Sequence, residues 1–176
     1  MSDCTIPTLY IPAGLNNDEK LPVTSPITRI EIPTLDLNKI VKYVPFDGFT
    51  WLIKGLRSEV VWMGNTSWSE LGGNTSLSAH VTFGDGTDDP FKYLEDLKDG
   101  EIVKLYPEQN VYTNKAYDRE VVSESDSSVI EPTEQAQLTL ITCTDLRIGF
   151  RTYLKWLIVY SDLVKVQPLE NQISSI

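Results

Sequence analysis

The feature that most constrains the fold is a succession of short segments rich in β-branched and aromatic residues, separated by glycine, proline and acidic turns. Such segments are typical of β-strands. We predict strands at residues 27–33, 35–37, 40–44, 49–53, 60–63, 75–82, 102–106, 111–113, 117–123, 138–143 and 154–164. Apolar residues at positions 91, 94 and 97 predict one short helix. Many short strands with so little helix predict an all-β barrel or sandwich.

The 176 residues form one predicted domain with an extension at each end. Residues 1–26 contain four prolines and read as an irregular arm on the domain surface. Residues 27–166 hold the predicted strands, and residues 167–176 are a polar tail. No window reaches roughly 18 apolar residues, and the amino terminus lacks the basic and apolar regions of a signal peptide. We therefore expect either a cytosolic protein or a trimmed part of an anchored one.

The formal net charge is −10 at pH 7, with 15 basic and 25 acidic residues. Nucleic-acid binding needs clustered lysine and arginine to neutralise phosphates, so this balance argues against a nucleic-acid partner. The charge argues against nucleic acid as the main partner and does not identify another partner.

The cysteine and histidine content argues against metal or disulfide chemistry. Two cysteines, Cys4 and Cys143, are too few for a disulfide framework, and a single histidine adds too few ligands for a zinc site. Asp85, Asp88 and Asp89 could hold calcium, but their spacing fits no recognised calcium loop and favours a solvated acidic loop. No cofactor is expected.

The stretch 138–143 (Leu-Thr-Leu-Ile-Thr-Cys) combines strand-forming residues with a thiol. Successive side chains of a strand point to opposite faces, so Cys143 shares a face with Thr139 and Ile141. A thiol at a strand end is held rigidly and can face a cleft. The alternative is that Cys143 is a small buried hydrophobe, as free cysteines often are.

The order of several segments resembles the sortase family, the cysteine transpeptidases of bacterial cell surfaces. Residues 74–80 (Asn-Thr-Ser-Leu-Ser-Ala-His) look like the segment with the sortase histidine, and 139–143 fit the signature Thr-Leu-x-Thr-Cys. Residues 91–102 look like the helix and turn that follow, and 157–164 look like the last strand. The resemblance covers about residues 27–166. It implies a closed or partly open β-barrel of about eight strands with one or two short helices.

The resemblance also implies a reaction in which a thiolate attacks a peptide carbonyl and an amine resolves the thioacyl intermediate. It implies that Cys143 is the nucleophile, that His80 is the general acid and base, and that an arginine stabilises the oxyanion or the substrate. The implied substrate is a Leu-Pro-x-Thr-Gly-like sorting signal, and the implied acceptor is an amine of a cell-wall precursor or a pilin lysine. The implied location is extracytoplasmic, with a membrane anchor outside this sequence.

The arginine departs from the family pattern. Aligning residues 157–159 with the last strand puts Trp156 where the arginine is expected. The neighbouring Lys155 would face the opposite side of the strand. Arg147 and Arg151 both follow Cys143, and we prefer Arg151 because it lies nearer the last strand. A second departure is Ala79, where glycine often precedes the histidine.

Two other functions stay open at this level. Four tryptophans, at positions 51, 62, 68 and 156, allow a non-catalytic binding module on a sortase-like barrel, although large aromatics in β proteins more often pack in cores. A thiol hydrolase would use the same nucleophile without amine transfer. The alternative for His80 is a structural or surface histidine, and the alternative for Arg151 is a surface residue.

Overall fold

Eight β-strands build the described part of the chain. The computed structural model describes residues 26–49, 51, 58–66, 73–80, 89–147 and 152–169, without the side chains of 145–147 and 152–154. The strands are β1 (Arg29–Ile32), β2 (Leu37–Val44), β3 (Val60–Met63), β4 (Asn74–Ser78), β5 (Ile102–Tyr106), β6 (Asn110–Ser123), β7 (Gln137–Arg147) and β8 (Thr152–Pro168). Short 3-10 segments lie at Pro33–Leu35, Leu94–Asp96 and Ser128–Ile130.

The strands close into a barrel in the order β1-β2-β3-β4-β7-β8-β6-β5, and β5 pairs with β1. The pairs β2–β3 and β4–β7 are parallel, and the remaining neighbours are antiparallel. Closure pairs strands that would otherwise have exposed edges. The predicted all-β barrel of about eight strands is confirmed, and its parallel β4–β7 pair is the part that positions the site.

Alternation along β7 and β8 divides the buried apolar residues into two clusters. Leu138 and Leu140 of β7 belong to a cluster with members from all eight strands, so this cluster fills the barrel. Ile141 and Cys143 belong to a second cluster, which lies on the opposite face of the same strand. We call this second set the outer cluster. Its members are Val44, Trp51, Val61, Met63, Val129, Ile141, Cys143, Trp156 and Ile158.

Several predicted elements differ in extent from those in the structure. The segment 91–97 forms a turn followed by the 3-10 segment Leu94–Asp96. Positions three apart align in a 3-10 turn, which is why Phe91, Leu94 and Leu97 are still buried together. The predicted strands end at residue 143 and resume at residue 154, with a loop between them, but in the structure β7 continues to Arg147 and β8 begins at Thr152. The sequence shows no turn signal at either point, and cross-strand pairing extends both strands.

Candidate active site

The predicted nucleophile and the predicted acid–base residue lie on neighbouring parallel segments. His80 follows the end of β4 by two residues. Cys143 was expected at a strand end, but β7 continues to Arg147 because its last residues still pair with β8. β4 pairs with β7 in a register whose last pair is Ser78 with Ile141. The Ala79 amide continues this ladder by donating to the Ile141 carbonyl at 3.2 Å. Extending the register by two residues places His80 beside Cys143, and neighbouring strands run about 4.8 Å apart. The barrel therefore brings together the two residues that the sequence singled out.

A side-chain hydrogen bond fixes this juxtaposition. The Thr142 hydroxyl donates to the Ala79 carbonyl at 2.9 Å, and its oxygen is buried. The backbone beside His80 is held again on its other side, where the Phe91 amide donates to the His80 carbonyl at 3.4 Å. His80 is half-buried. Sequence reasoning did not foresee the role of Thr142, because a hydrogen bond between residues 63 positions apart leaves no local signal.

Cys143 is buried on the outer face of β7, with 5% of its surface exposed. The structure describes it as disulfide-bonded, and Cys4, the chain's other cysteine, lies outside the described residues. The small cysteine count had not predicted a bridge. A sulfur in a disulfide is not a nucleophile, since the thiolate is the attacking species. Cys143 must be reduced before it can react.

Trp156 occupies the position across from Cys143 on β8. Its side chain is 2% exposed and packs in the outer cluster. Directly opposed residues of an antiparallel pair have Cβ atoms about 4.5–5.5 Å apart, so the residue at this position lies beside Cys143. Because that residue is a tryptophan, this position supplies no arginine. The sequence had placed Trp156 where the family arginine is expected, and the register adds that this position faces Cys143. Trp51 and Trp62 are also buried, as expected for packing aromatics, and Trp68 lies outside the described residues.

The two candidate arginines belong to the hairpin that joins β7 to β8. Arg147 is the last residue of β7 and pairs with Thr152. Four residues separate it from Cys143, which corresponds to about 13 Å of strand. Arg151 lies outside the described residues, and so does the side chain of Arg147. Among the side chains that the structure describes, none beside Cys143 is therefore an arginine.

A metal site is not formed by the described residues. No group of three or more histidine, cysteine, aspartate or glutamate side chains in that part of the chain could hold an ion. Asp85 and Asp88 of the predicted acidic loop lie outside the described residues.

Beyond Cys143, the same face of β7 and β8 carries a tyrosine with an altered proton affinity. Tyr160 pairs with Thr139 and packs against the outer cluster. Its hydroxyl donates to Glu120 Oε1 at 2.7 Å. Burial, followed by this hydrogen bond to the carboxylate, raises the pKa of Tyr160.

This shift predicts that the folded protein loses stability as the pH rises past about 10, the ordinary pKa of tyrosine. Above that pH the unfolded chain releases the Tyr160 proton while the folded chain keeps it, so the free energy of unfolding falls as the pH rises. Tyr160→Phe should weaken this decline when denaturant unfolding is compared at about pH 8 and about pH 11. Tyr93→Phe, at a 54% exposed position, is the matched control. Equal declines in both variants would contradict the prediction.

Comparison with known proteins identifies the family and the fold. The family model described as the sortase domain matches residues 30–164. Sortase A of Listeria monocytogenes superposes with a TM-score of 0.66 and 21% identity, over 84% of this chain and 93% of that one. Sortase E1 of Streptomyces coelicolor, solved with a tripeptide in the active site, gives 0.67 and 19%, over 86% and 95%. Sortase C-3 of Streptococcus pneumoniae gives 0.65 and 19%, over 88% and 71%. The comparison with curated proteins found no match.

Proposed function

The chain belongs to the sortase family of cysteine transpeptidases, and we propose that Cys143, His80 and Arg151 carry out its reaction. Cys143 is the nucleophile, His80 is the general acid and base, and Arg151 stabilises the oxyanion or holds the substrate. The substrate is a peptide. We assign it as the C-terminal sorting signal of a surface protein, of the Leu-Pro-x-Thr-Gly type. The acceptor is an amine of a cell-wall precursor or of a pilin lysine.

The pairing of β4 with β7 is the observation that carries this proposal. Extended by two residues, this register sets His80, the only histidine of the chain, beside Cys143, and the Thr142 bond to Ala79 joins β7 to the residues that follow β4. Transfer through a covalent intermediate needs a nucleophile and a proton donor held in one geometry. A parallel pair of buried strands supplies that geometry.

The reaction proceeds in two displacements at one carbonyl carbon. The Cys143 thiolate attacks the scissile carbonyl, a carbon–sulfur bond forms, and the oxygen carries the negative charge. The carbon–nitrogen bond then breaks as His80 gives its proton to the leaving amine, which leaves a thioester. His80 next takes the proton of the incoming amine as that nitrogen attacks the thioester. The Cys143 thiolate departs and a new peptide bond remains.

Sortases act at the cell surface, and for this chain we propose an extracytoplasmic position with a membrane anchor outside the sequence. Among the described residues, no helix has the length and apolar character that a membrane crossing requires. The catalytic domain is assigned to residues 27–166, which the family match over residues 30–164 supports. The flanking segments 1–26 and 167–176 are assigned as an arm and a tail.

The function is tested by incubating the reduced protein with a library of sorting-signal peptides and triglycine, followed by mass spectrometry of the intact protein and of the peptides. A thioacyl adduct together with a triglycine-extended peptide is expected. Cleaved peptide without any extended product, whatever amine is supplied, would indicate a thiol hydrolase. Neither adduct nor cleavage, with a thiol that also resists a small alkylating agent, would overturn the catalytic assignment.

The arginine assignment predicts that Arg151→Ala lowers kcat by about 10²–10³-fold, the usual cost of losing one oxyanion donor. Arg147→Ala is the matched comparison on the same hairpin. A larger loss in Arg147→Ala would move the role to that residue, and no loss in either variant would show that the reaction runs without an arginine.

A further inference from the structure

A buried asparagine connects the segment between β6 and β7 to the strands that carry the site. Asn74 is the first residue of β4, and 1% of its surface is exposed. Its Nδ2 donates to the Val129 carbonyl at 2.8 Å and to the Glu131 carbonyl at 3.2 Å. The Val129 carbonyl lies in the middle of the 3-10 segment Ser128–Ile130, and the Glu131 carbonyl lies just beyond it. One side-chain amide therefore binds this segment at two points.

The asparagine is itself held in place by the first threonine of the cysteine strand. The Thr139 hydroxyl donates to Asn74 Oδ1 at 2.6 Å, and Thr139 is fully buried. Gln137 Nε2 donates to the Thr139 hydroxyl at 3.1 Å, so that hydroxyl both accepts and donates. Both polar atoms of the Asn74 side chain thus have hydrogen-bond partners, and the bond from Thr139 sets the orientation of the amide group. β7 is in this way connected to the segment 128–131 through β4.

The segment held by Asn74 packs on the face of β7 that carries the nucleophile. Val129 is 4% exposed and belongs to the outer cluster with Cys143 and Trp156. Ile130 packs against the same cluster from its edge. If the segment moved outward, Val129 would leave this cluster and the surface beside Cys143 would change. The Asn74 hydrogen bonds act against that movement.

We propose that Asn74 is a positioning residue that keeps Ser128–Ile130 against the outer cluster as a preformed wall beside Cys143. The peptide substrate meets this wall before it reacts, so the wall contributes to substrate binding and not to bond making. This inference rests on the transpeptidase function proposed above. Neither Asn74 nor Thr139 touches the reacting atoms, and both act through the segment that they hold.

Loss of the anchor should affect substrate binding more than chemistry. A buried carbonyl that loses its donor favours conformations in which water can reach it, so the segment 128–131 opens more often. A substrate then binds a site that is competent for only part of the time, which raises the apparent dissociation constant. We expect Asn74→Ala to raise the KM for the signal peptide about tenfold, the effect of about one buried hydrogen bond, with kcat changed less than about threefold.

Asn114→Ala is the matched control for general destabilisation. Asn114 is also fully buried, and its Nδ2 donates to the Val103 and Tyr112 carbonyls at 3.4 Å each. Val103 and Tyr112 lie on strands β5 and β6 and belong to the cluster that fills the barrel. The same substitution there removes a buried amide without touching the segment beside Cys143. Its KM for the peptide should match the wild type.

The Thr139→Val and Thr139→Ser pair tests the anchor without removing Asn74. Valine keeps the shape of threonine but has no hydroxyl, so Asn74 loses the group that orients it. Serine keeps the hydroxyl. We expect Thr139→Val to raise the KM in the same direction as Asn74→Ala, and Thr139→Ser to restore the wild-type value. This pair decides the question if Asn74→Ala fails to fold.

Hydrogen exchange gives a readout that does not depend on catalysis. Amides 128–131 should exchange faster in Asn74→Ala and Thr139→Val than in the wild type, and at the wild-type rate in Asn114→Ala. If the wild type shows no transfer, the transpeptidase assignment fails while this exchange pattern still tests the anchor. Unchanged exchange at 128–131, or equal KM increases in Asn74→Ala and Asn114→Ala, would overturn the proposal.

Discussion

Cys143→Ala is expected to abolish both the thioacyl adduct and the transfer product, the largest effect of any single substitution in this chain. Alanine is small enough for the buried site and keeps the strand pairing of β7. It removes the atom that forms the covalent bond, so no intermediate can accumulate. Intact-protein mass spectrometry after incubation with a sorting-signal peptide and triglycine measures both products in one experiment.

The disulfide of Cys143 sets the conditions of that experiment. The protein must be reduced beforehand, since the structure describes this sulfur in a disulfide. Cys4→Ser is the matched control, because it leaves Cys143 as the only cysteine of the chain. Adduct formation should persist in Cys4→Ser and vanish in Cys143→Ala. An adduct that persists in Cys143→Ala would show that another group is the nucleophile.

His80→Gln is expected to lower kcat by about 10²–10⁴-fold, the usual contribution of a positioned general acid and base. Glutamine retains a polar side chain beside Cys143 but cannot carry a proton to the leaving amine. The KM for the peptide should change little, because the proton is needed in the transition state and not for binding. Steady-state kinetics of triglycine transfer separates the two constants.

His80 is the only histidine of the chain, so no other imidazole can replace it. Imidazole added to the His80→Gln variant should restore part of the transfer rate, whereas it should not restore Cys143→Ala. A wild-type kcat in His80→Gln would remove His80 from the mechanism and leave it as a structural residue of the segment after β4.

The arrangement of β7 was readable from the sequence because strand periodicity is local. Alternation along 138–143 assigned Leu138 and Leu140 to one face and Ile141 and Cys143 to the other, and the structure separates them into the two clusters accordingly. The sequence predicted Trp156 at the place where the family arginine is expected, and only the register showed that this place lies across from Cys143. The lengths of β2, β6 and β8 were underestimated, because pairing with neighbours extends strands through residues of weak propensity.

The sequence by itself determined the all-β class, the barrel expected from the sortase resemblance, and the two residues most suited to thiol transfer chemistry. These features depend on residue type and on spacings of a few positions. Only the tertiary structure decided that β4 lies parallel to β7, that Thr142 joins β7 to the residue after β4, and that Asn74 binds the segment 128–131. Each of these contacts links residues more than 50 positions apart, and hydrogen-bond geometry at that separation exists only after the barrel has closed.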